Sequence, residues 1–375
     1  MILFFPHYNS SGGAGKYIIS LANEFRKKNI KIYFSGFYKK EYEYDILEQS
    51  SNLEWIFNRF IIPNYKGVSL FVKLFYLIRC ILLIPLMLIY NVTSKLNLEN
   101  VKVVVLTSMI QAPLLYFLRS FSPKISFVLL IQENAVFDGF FGRLFIYFYK
   151  FADVIVCIDS NSFREFVNYK LNPVLILNSF DDYNNLSSTS NYEILYDAIY
   201  VGGGNEIKGF SFLIESFKKM SKNNDINILM LGYYSKNDIR NIERINNQVN
   251  TKSRLHVIGV VDSCSEYYVK AKFLILPIVA PHFCRPAIEA GLLKKTFLIP
   301  LHEGLTDFAI ANFNCKVYEN RNIDSFIKEF MSLIQNKQLL NQLEENNYIL
   351  SLDFKQKSKD NLSILLKRIF INNQE

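Results

Sequence analysis

Short apolar runs alternate with amphipathic helical patterns along the whole chain. An apolar run of about four to eight residues is typical of a buried strand, and apolar positions at i, i+3, i+4 and i+7 are typical of a helix packed on a sheet. This alternation predicts βαβ units and an α/β fold of parallel sheets. The predicted strands are Met1–Phe5, Ile30–Phe34, Val101–Leu106, Ile125–Ile131, Val154–Ile158 and Pro173–Leu177, followed by Ala198–Val201, Ile226–Leu231, Leu255–Ile258, Lys272–Pro277 and Thr296–Pro300.

The two halves of the chain repeat one arrangement. In each half a first strand leads through a glycine-rich turn, Gly12-Gly13 or Gly203-Gly204, into an amphipathic helix. We therefore predict two Rossmann-like domains that face each other across a ligand-binding cleft. The predicted boundaries are an N-terminal domain at 1–180, a linker at 181–196, a C-terminal domain at 197–355 and a C-terminal helix at 356–375.

Composition narrows the class of protein. Half of the 375 residues are hydrophobic and only 20% are charged, which excludes disordered, collagen-like and coiled-coil proteins. The formal net charge is +8, but Lys and Arg form no concentrated arm, so phosphate or membrane lipid is a better partner than nucleic acid. Five scattered cysteines without a CxxC pair predict a reducing compartment, so we expect a cytoplasmic protein.

The stretch 68–92 is almost wholly apolar, but it contains Lys73, Arg79 and Pro85. A membrane-spanning helix needs roughly 20 uninterrupted apolar residues, and a central Arg costs roughly 2.5–3.5 kcal/mol on insertion scales. Three interpretations stay open: a helix of the first domain, a helix lying in the membrane interface, and a true span. In the second interpretation, residues 66–92 contact the inner face of the cell membrane peripherally.

The glycine-rich turns are candidate anion sites, because they let backbone N–H groups and a helix N-terminus approach a ligand. Neither turn is a GxGxxG fingerprint or a Walker loop, so neither predicts a dinucleotide or P-loop site. A tight turn that needs φ > 0 explains the glycines equally well. Lys208 follows the second turn and can place its ammonium on a phosphate held there, or it is an ordinary surface lysine.

The segment 277–291 is the most informative part of the sequence. It leaves an apolar strand, makes a proline-bounded loop and starts a helix near Pro286, a residue suited to the first helical turn. We expect Arg285 and the helix N-terminus to face a diphosphate, and Glu289 to accept hydrogen bonds from ribose hydroxyls; a favourable charge near a helix start is the alternative for Glu289. The loop residues are Pro281, His282, Phe283 and Cys284.

A set of motifs in fixed order resembles a known family, the retaining family-4 glycosyltransferases of GT-B fold. The resemblance covers nearly the whole chain and keeps the family order. The motifs that carry it are the first strand–glycine–helix unit, Ala152–Ser160, Asn178, Lys208-Gly209, Glu289-Ala290, Thr296–Pro300 and Glu303–Asp307.

The resemblance implies transfer of a sugar, with retention, from a nucleoside-diphosphate sugar to a glycan or polyprenyl-linked glycan acceptor in cell-surface polysaccharide synthesis. It also implies that the last helix crosses back to the first domain. Lys208 would bind the donor diphosphate and Glu289 the ribose. The remaining positions carried over are Gly12 and Gly13, beside the reacting phosphate and the acceptor, and Gly259 and Val260, in the base pocket.

We expect no metal and no cofactor besides the donor, which acts as a co-substrate. Enzymes of this family need no metal ion, because cations and helix dipoles stabilise the leaving diphosphate. The sequence has no Asp-x-Asp motif, and its four histidines are scattered without ligand spacing.

The sequence also departs from the family pattern. Pro281 stands eight residues before Glu289, where the family has a glutamate that holds donor-sugar hydroxyls. Gly203-Gly204 stand where an arginine is common, and Arg285 is the candidate to replace it.

A histidine common in the first domain is replaced by Gln132, which precedes Glu133. An amide cannot act as a base, so Glu133 is the candidate catalytic carboxylate, with a loop carboxylate without a role as the alternative.

Two further functions remain as alternatives. Pro281 in place of a carboxylate is compatible with a non-catalytic sugar-nucleotide-binding or scaffold protein, which turnover of any nucleotide sugar would exclude. A nucleotide-sugar epimerase of the same fold needs acid–base carboxylates and histidines around the cleft, and the sequence does not assemble them.

Overall fold

The computed structural model describes residues 2–5, 13–27, 30, 32–34, 101–121, 124–132, 139–176, 193–249, 251–261, 263–279, 284–301 and 308–371. The chain divides into two compact units. The first unit is Met1–Phe180 together with Lys357–Glu375, and the second is Asp181–Gln356.

The first unit contains a six-stranded sheet in the order β2-β1-β3-β4-β5-β6, and all neighbouring strands are parallel. Every residue of β3 and β4 is buried, as expected for parallel strands covered on both faces. The strands are β1 (Ile2–Phe5), β2 (Ile32–Phe34), β3 (Val103–Leu106), β4 (Ser126–Ile131), β5 (Val154–Cys157) and β6 (Pro173–Leu175), and the helices are Gly13–Arg26, Ala112–Phe121, Gly139–Tyr149 and Ser160–Asn168.

The motif Ala152–Ser160 has a structural explanation in the first unit. The carboxylate of Asp153 pairs with Arg119 and accepts a hydrogen bond from the backbone N–H of Phe127 at 2.7 Å. Asp159 is the N-cap of the next helix and accepts from the backbone N–H of Ser162 at 2.8 Å. Both aspartates therefore fix the ends of neighbouring elements.

The second unit contains another parallel six-stranded sheet, in the order β12-β11-β10-β7-β8-β9. Its strands are β7 (Tyr196–Val201), β8 (Asn227–Leu231), β9 (Arg254–Gly259), β10 (Ala271–Ile275), β11 (Phe297–Pro300) and β12 (Cys315–Tyr318). Its helices are Phe210–Met220, Lys236–Gln248, Ser265–Tyr268, Arg285–Leu292, Ile323–Gln335 and the first part of Lys337–Ile371.

The predicted alternation of strands and helices is confirmed. Each predicted strand is present, with ends that differ by a few residues. The sequence prediction missed β12, which lies at the edge of its sheet, and two of its four residues are only half-buried. A short edge strand carries too few apolar positions to stand out in the pattern.

The C-terminal helix is longer than predicted. It runs without interruption over 35 residues, Lys337–Ile371, instead of forming a separate element at 356–375. Its last part belongs to the first unit: Asn361 Nδ2 donates to the carbonyl of Leu175 at 2.5 Å, and Arg368 Nη1 donates to Asn172 Oδ1 at 3.1 Å. In the described part of the chain, no helix has the length and apolarity needed to cross a membrane. Residues 66–92 lie outside the described residues.

A half-buried ion pair links this helix to the loop before β11. Glu344 Oε1 lies 3.9 Å from Lys295 Nζ, and both side chains are less than a fifth exposed. Burial raises the pKa of the Glu344 carboxyl to about 7, and the Lys295 charge opposes this shift. Burial also lowers the pKa of Lys295. Burial therefore shifts the titration of each group toward its neutral form.

Glu344 is expected to make stability fall with rising pH. The pKa of Glu344 is higher in the folded protein than in the unfolded chain. Its contribution to the free energy of unfolding is therefore fully present below about pH 4.5 and is lost as the pH rises through about 7. We expect wild type to lose up to about 3 kcal/mol relative to Glu344→Gln between pH 5 and pH 8, measured by urea unfolding. Glu345→Gln, which removes an exposed carboxylate, should keep the wild-type pH dependence. An unchanged pH dependence in Glu344→Gln would contradict the assignment.

Candidate active site

The centre of the second sheet forms a crevice where two connections diverge. β7 and β10 are parallel neighbours, but the chain passes from β7 to β8 in one direction and from β10 to β11 in the other. Right-handed crossovers in opposite directions place the following helices on opposite faces of the sheet, which opens a crevice at the carboxyl ends of the two strands. Lys208 follows β7, and the helix Arg285–Leu292 follows β10.

The loop that carries Lys208 is locked against the end of β10. Lys208 ends a short turn of 3-10 helix, and the backbone N–H of Val279 donates to the carbonyl of Ile207 at 3.0 Å. Gly209 has a left-handed φ of 80° and precedes the helix, which begins at Phe210. A Cβ at Gly209 would lie 1.7 Å from the carbonyl oxygen of Pro277. Only glycine therefore permits this approach.

The positive charge of Lys208 has an electrostatic effect at the start of the helix Arg285–Leu292. Burial raises the pKa of the Cys284 thiol to about 11, and the positive charge of Lys208 opposes that shift. Cys284 is the N-cap of the helix, and Arg285 is its first residue, although the sequence prediction placed Arg285 before the start. A thiol is a weak acceptor for first-turn N–H groups. The charge of Lys208 therefore acts at a positively polarised helix end.

The glycines after β7 have a packing role in this structure. The N–H groups of Gly202 and Gly203 donate to the carbonyl of Leu231, and that of Gly204 donates to the carbonyl of Tyr233, at 2.9–3.2 Å. The sequence prediction assigned Gly203 and Gly204 to the donor phosphate. In the structure their N–H groups hold this loop against the end of β8 and the residues after it.

Arg285 and Glu289 form a buried ion pair. Arg285 Nε donates to Glu289 Oε1 at 2.5 Å, and the hydroxyl of Tyr268 donates to Oε2 at 3.2 Å. The two charged residues are only 5% and 8% exposed. The sequence prediction had them facing a diphosphate and a ribose separately, but their i, i+4 spacing lets them neutralise each other along one helix face. Tyr268, which fixes the carboxylate, has no sequence motif that could have revealed it.

An asparagine network, also missed in the sequence, holds the same helix. Asn347 Nδ2 donates to the carbonyls of Ala287 and Lys295 at 3.2 and 2.7 Å, and Asn314 Nδ2 donates to Asn347 Oδ1 at 3.0 Å. Both asparagines are buried. The long C-terminal helix thus fixes the position of Arg285–Leu292 through buried side-chain amides whose hydrogen bonds are made.

A cavity of about 460 Å³ opens beside the carboxyl ends of β8 and β9. Its lining includes the predicted base-pocket residues Gly259 and Val260, together with Gly232 and Tyr233. Val260 is 70% exposed and Tyr233 is 77% exposed. The cavity therefore presents backbone and an accessible aromatic ring to a planar ligand.

In the first unit, Gln132 directly follows β4. Its amide nitrogen and oxygen are both buried, and neither makes a hydrogen bond within the described part of the chain. Gly13 is the first residue of its helix. The other predicted site residues, Gly12, Glu133, Pro281, His282 and Phe283, lie outside the described residues. Over the described ranges, no group of three or more His, Cys, Asp or Glu side chains is placed to hold a metal ion.

Residues 187–349 match the family model described as glycosyl transferases group 1. This stretch lies within the second unit, and the match supports a transferase enzyme. No curated protein matches the chain in sequence.

Solved structures share the fold at low identity. Sucrose-phosphate synthase from Thermosynechococcus elongatus is similar over 99% of each chain, with a TM-score of 0.71 and 14% identity. Anabaena Alr3699/HepE in complex with UDP-glucose is similar over 97% of this chain and 99% of its own, with a TM-score of 0.68 and 14% identity. The E. coli trehalose-6-phosphate structure bound with UDP-2-fluoro glucose is similar over 97% of this chain and 98% of its own, with a TM-score of 0.69 and 9% identity. The predicted α/β fold of two parallel-sheet domains, of GT-B type, is confirmed.

Proposed function

We propose that the protein transfers a sugar from a uridine diphosphate sugar to a glycan or lipid-linked glycan acceptor in cell-surface polysaccharide synthesis, with retention of anomeric configuration. The observation that carries the donor class is the convergence of Lys208 and the start of helix Arg285–Leu292 at the central crevice of a glycosyl transferase domain. UDP is the nucleotide chosen because HepE and the E. coli protein hold UDP-sugars. Family-4 membership and the cell-surface role rest on the sequence resemblance.

In this proposal, Lys208 binds the donor diphosphate. Negative charge builds up on the diphosphate as the glycosidic bond breaks, so a fixed ammonium and a helix N-terminus stabilise the transition state more than the ground state. Because Cys284 is a weak helix cap, the first-turn N–H groups are suited to hydrogen-bond the phosphate oxygens. This arrangement supplies charge stabilisation without a metal ion.

Glu289 is proposed to orient the ribose. Its carboxylate accepts one hydrogen bond at each oxygen from Arg285 and Tyr268. Each oxygen keeps a further acceptor site for a ribose hydroxyl. Arg285 therefore acts on the donor through Glu289, and Lys208 is the cation that contacts the diphosphate directly.

The cavity beside β9 is proposed to take the nucleobase, with Tyr233 stacking on it. Stacking of a base on an aromatic side chain is worth about 1–3 kcal/mol, so Tyr233→Ala should weaken UDP binding by roughly 5- to 100-fold, measured by titration calorimetry. Pyrophosphate binding should not change, because it makes no base contact. Tyr147→Ala, an exposed tyrosine of the first unit, serves as the control. Equal loss of UDP and pyrophosphate binding in Tyr233→Ala would exclude stacking.

In the first unit, Gln132 is proposed to hydrogen-bond a substrate hydroxyl. A buried amide that makes no hydrogen bond within the described part of the chain carries a desolvation cost that a bound hydroxyl relieves. The acid–base assignment of Glu133 remains a proposal from the sequence. We also propose a cytoplasmic location with peripheral contact of residues 66–92 with the membrane, where a lipid-linked acceptor would lie.

A thermal-shift screen against UDP, GDP, ADP and their sugar derivatives tests the donor class. A ligand at about 100 times its Kd stabilises the protein by about 2.7 kcal/mol, so the correct nucleotide gives a clear shift. We expect UDP and at least one UDP-sugar to raise the unfolding temperature more than the other nucleotides. A larger shift with GDP or ADP would overturn the choice of uridine, and no shift with any nucleotide would overturn the donor site. NMR of the fresh product's anomeric linkage tests retention.

A further inference from the structure

The helix Arg285–Leu292, which we call the donor helix, is tied to the C-terminal helix by one buried side chain. Asn347 lies in the helix Lys337–Ile371 and is 2% exposed. Its Nδ2 donates to the carbonyl of Ala287, within the donor helix, at 3.2 Å. The same nitrogen donates to the carbonyl of Lys295, just after that helix, at 2.7 Å. Asn347 therefore holds both the donor helix and the chain that leaves it.

The direction of the Asn347 amide is fixed by a second asparagine. Asn314 is fully buried, and its Nδ2 donates to Asn347 Oδ1 at 3.0 Å. Asn314 is held in turn by the segment before β12: its Nδ2 donates to the carbonyl of Phe308 at 2.7 Å, and its Oδ1 accepts from the backbone N–H of Ile310 at 2.8 Å. A reversed Asn347 amide would place two N–H donors against each other. The amino group of Asn347 must therefore point to the donor helix.

The two helices also pack so closely that no side chain fits between them at one point. A Cβ added at Gly291, in the last turn of the donor helix, would lie 2.0 Å from Ser351 Oγ and 2.9 Å from the carbonyl oxygen of Asn347. Glycine is therefore required for this approach. Such close packing leaves the donor helix little freedom to shift against the C-terminal helix.

The fixed end of the donor helix sets the position of its other end. The helix has eight residues and is therefore about 12 Å long, so a tilt of about 5° at the junction moves its first turn by about 1 Å. The first turn carries Arg285, and Glu289 lies one turn further. A misplacement of about 1 Å is enough to cost about 100-fold in a well-oriented site. The geometry of the junction is therefore transmitted to the start of the helix.

We propose that Asn347 is a positioning residue for the donor: it holds the donor helix in the orientation in which the first-turn N–H groups reach the diphosphate and Glu289 reaches the ribose. The inference rests on the proposed function and deepens it. Asn347 acts through the helix and carries no charge, so it contributes orientation and not attraction. Its loss should therefore weaken the contacts with the donor while the protein stays folded.

Calorimetric titration of the full chain with UDP and with pyrophosphate tests the proposal. Asn347→Leu keeps the side-chain volume and removes both donated hydrogen bonds, so we expect it to weaken binding of each ligand roughly 3- to 30-fold. Asn346→Leu is the matched control, because Asn346 neighbours Asn347 but donates to the carbonyl of Phe313 at 2.7 Å. It should bind both ligands as wild type does. A merely structural role of Asn347 would lower the number of binding sites per chain and leave the Kd unchanged, which would overturn the proposal.

A second variant displaces the donor helix without changing Asn347. Gly291→Ala places a methyl group against Ser351 Oγ, so it should also weaken pyrophosphate binding. The double variant Gly291→Ala with Ser351→Ala removes that oxygen and should recover part of the affinity, and Ser351→Ala alone should bind as wild type does. Wild-type affinity in Gly291→Ala would contradict the proposal.

Hydrogen–deuterium exchange reports on the donor helix without any ligand. We expect the backbone amides of 285–292 to exchange faster in Asn347→Leu than in wild type, and those of the helix Phe210–Met220 to exchange at the same rate. Unchanged exchange at 285–292 would overturn the proposal even if binding falls. If wild type binds neither UDP nor pyrophosphate, the proposed donor site fails. If wild type binds them and Asn347→Leu binds them equally well, the inference about Asn347 alone fails.

Discussion

Replacing Glu289 by alanine is expected to lower the free energy of unfolding by about 3–5 kcal/mol. The change leaves the guanidinium of Arg285 buried, 5% exposed, without the carboxylate that accepts its hydrogen bond at 2.5 Å. It also removes the acceptor for the hydroxyl of Tyr268. Chemical unfolding measured by circular dichroism gives this difference.

A double variant tests whether the loss of stability comes from breaking the ion pair. Arg285→Met with Glu289→Leu removes both charges and keeps apolar volume, so it should recover most of the lost stability. Glu345→Ala breaks an exposed pair with Lys294 at 3.1 Å and should cost at most about 1 kcal/mol. If Glu289→Ala costs no more than Glu345→Ala, the pair is not buried as described. If Glu289 orients the ribose, the double variant should still bind UDP more weakly than wild type.

Replacing Lys208 by alanine is expected to weaken UDP binding by roughly 10- to 100-fold. A charge-assisted hydrogen bond is worth about 1.5–3 kcal/mol, and Lys208 lies in the turn that the Val279–Ile207 hydrogen bond holds against the segment after β10. Lys208 is only half-buried, so we expect little change in stability. Titration calorimetry with UDP and with pyrophosphate measures the effect.

Both ligands should lose affinity in Lys208→Ala, because the lysine is assigned to the diphosphate. This separates it from Tyr233→Ala, which should affect UDP alone. Lys218→Ala, an exposed lysine on the neighbouring helix Phe210–Met220, should bind both ligands as wild type does. Unchanged pyrophosphate binding in Lys208→Ala would place the diphosphate elsewhere.

The sequence predicted the order of strands and helices because each buried parallel strand is a continuous apolar run. β4, for example, is buried along its whole length and stands out between polar turns. β12 was missed because an edge strand needs less apolar surface. The single helix from Lys337 to Ile371 was divided because its first part belongs to the second unit and its last part to the first, and the helix as a whole has no single apolar face.

The sequence predicted where the candidate site residues lie along the fold, but it did not predict which side chains contact each other. The sequence brought Lys208, Arg285 and Glu289 to the ends of adjacent strands, because parallel strands share an edge. It did not reveal that Arg285 is paired with Glu289, since i, i+4 spacing suits an internal ion pair and a shared ligand equally. The contact between Asn314 and Asn347 joins residues 33 positions apart. Such a contact is set by packing between elements and leaves no local pattern.

Transfer of labelled sugar from UDP-sugars to a membrane-derived glycan acceptor tests the central claim most directly. With purified protein, we predict that UDP is released and that label enters the acceptor fraction at a rate that depends on both substrates. Lys208→Ala should lower this rate by at least the factor by which it weakens UDP binding, and Lys218→Ala should leave it unchanged. Transfer by Lys208→Ala at the wild-type rate, or no transfer from any nucleotide sugar, would contradict the account.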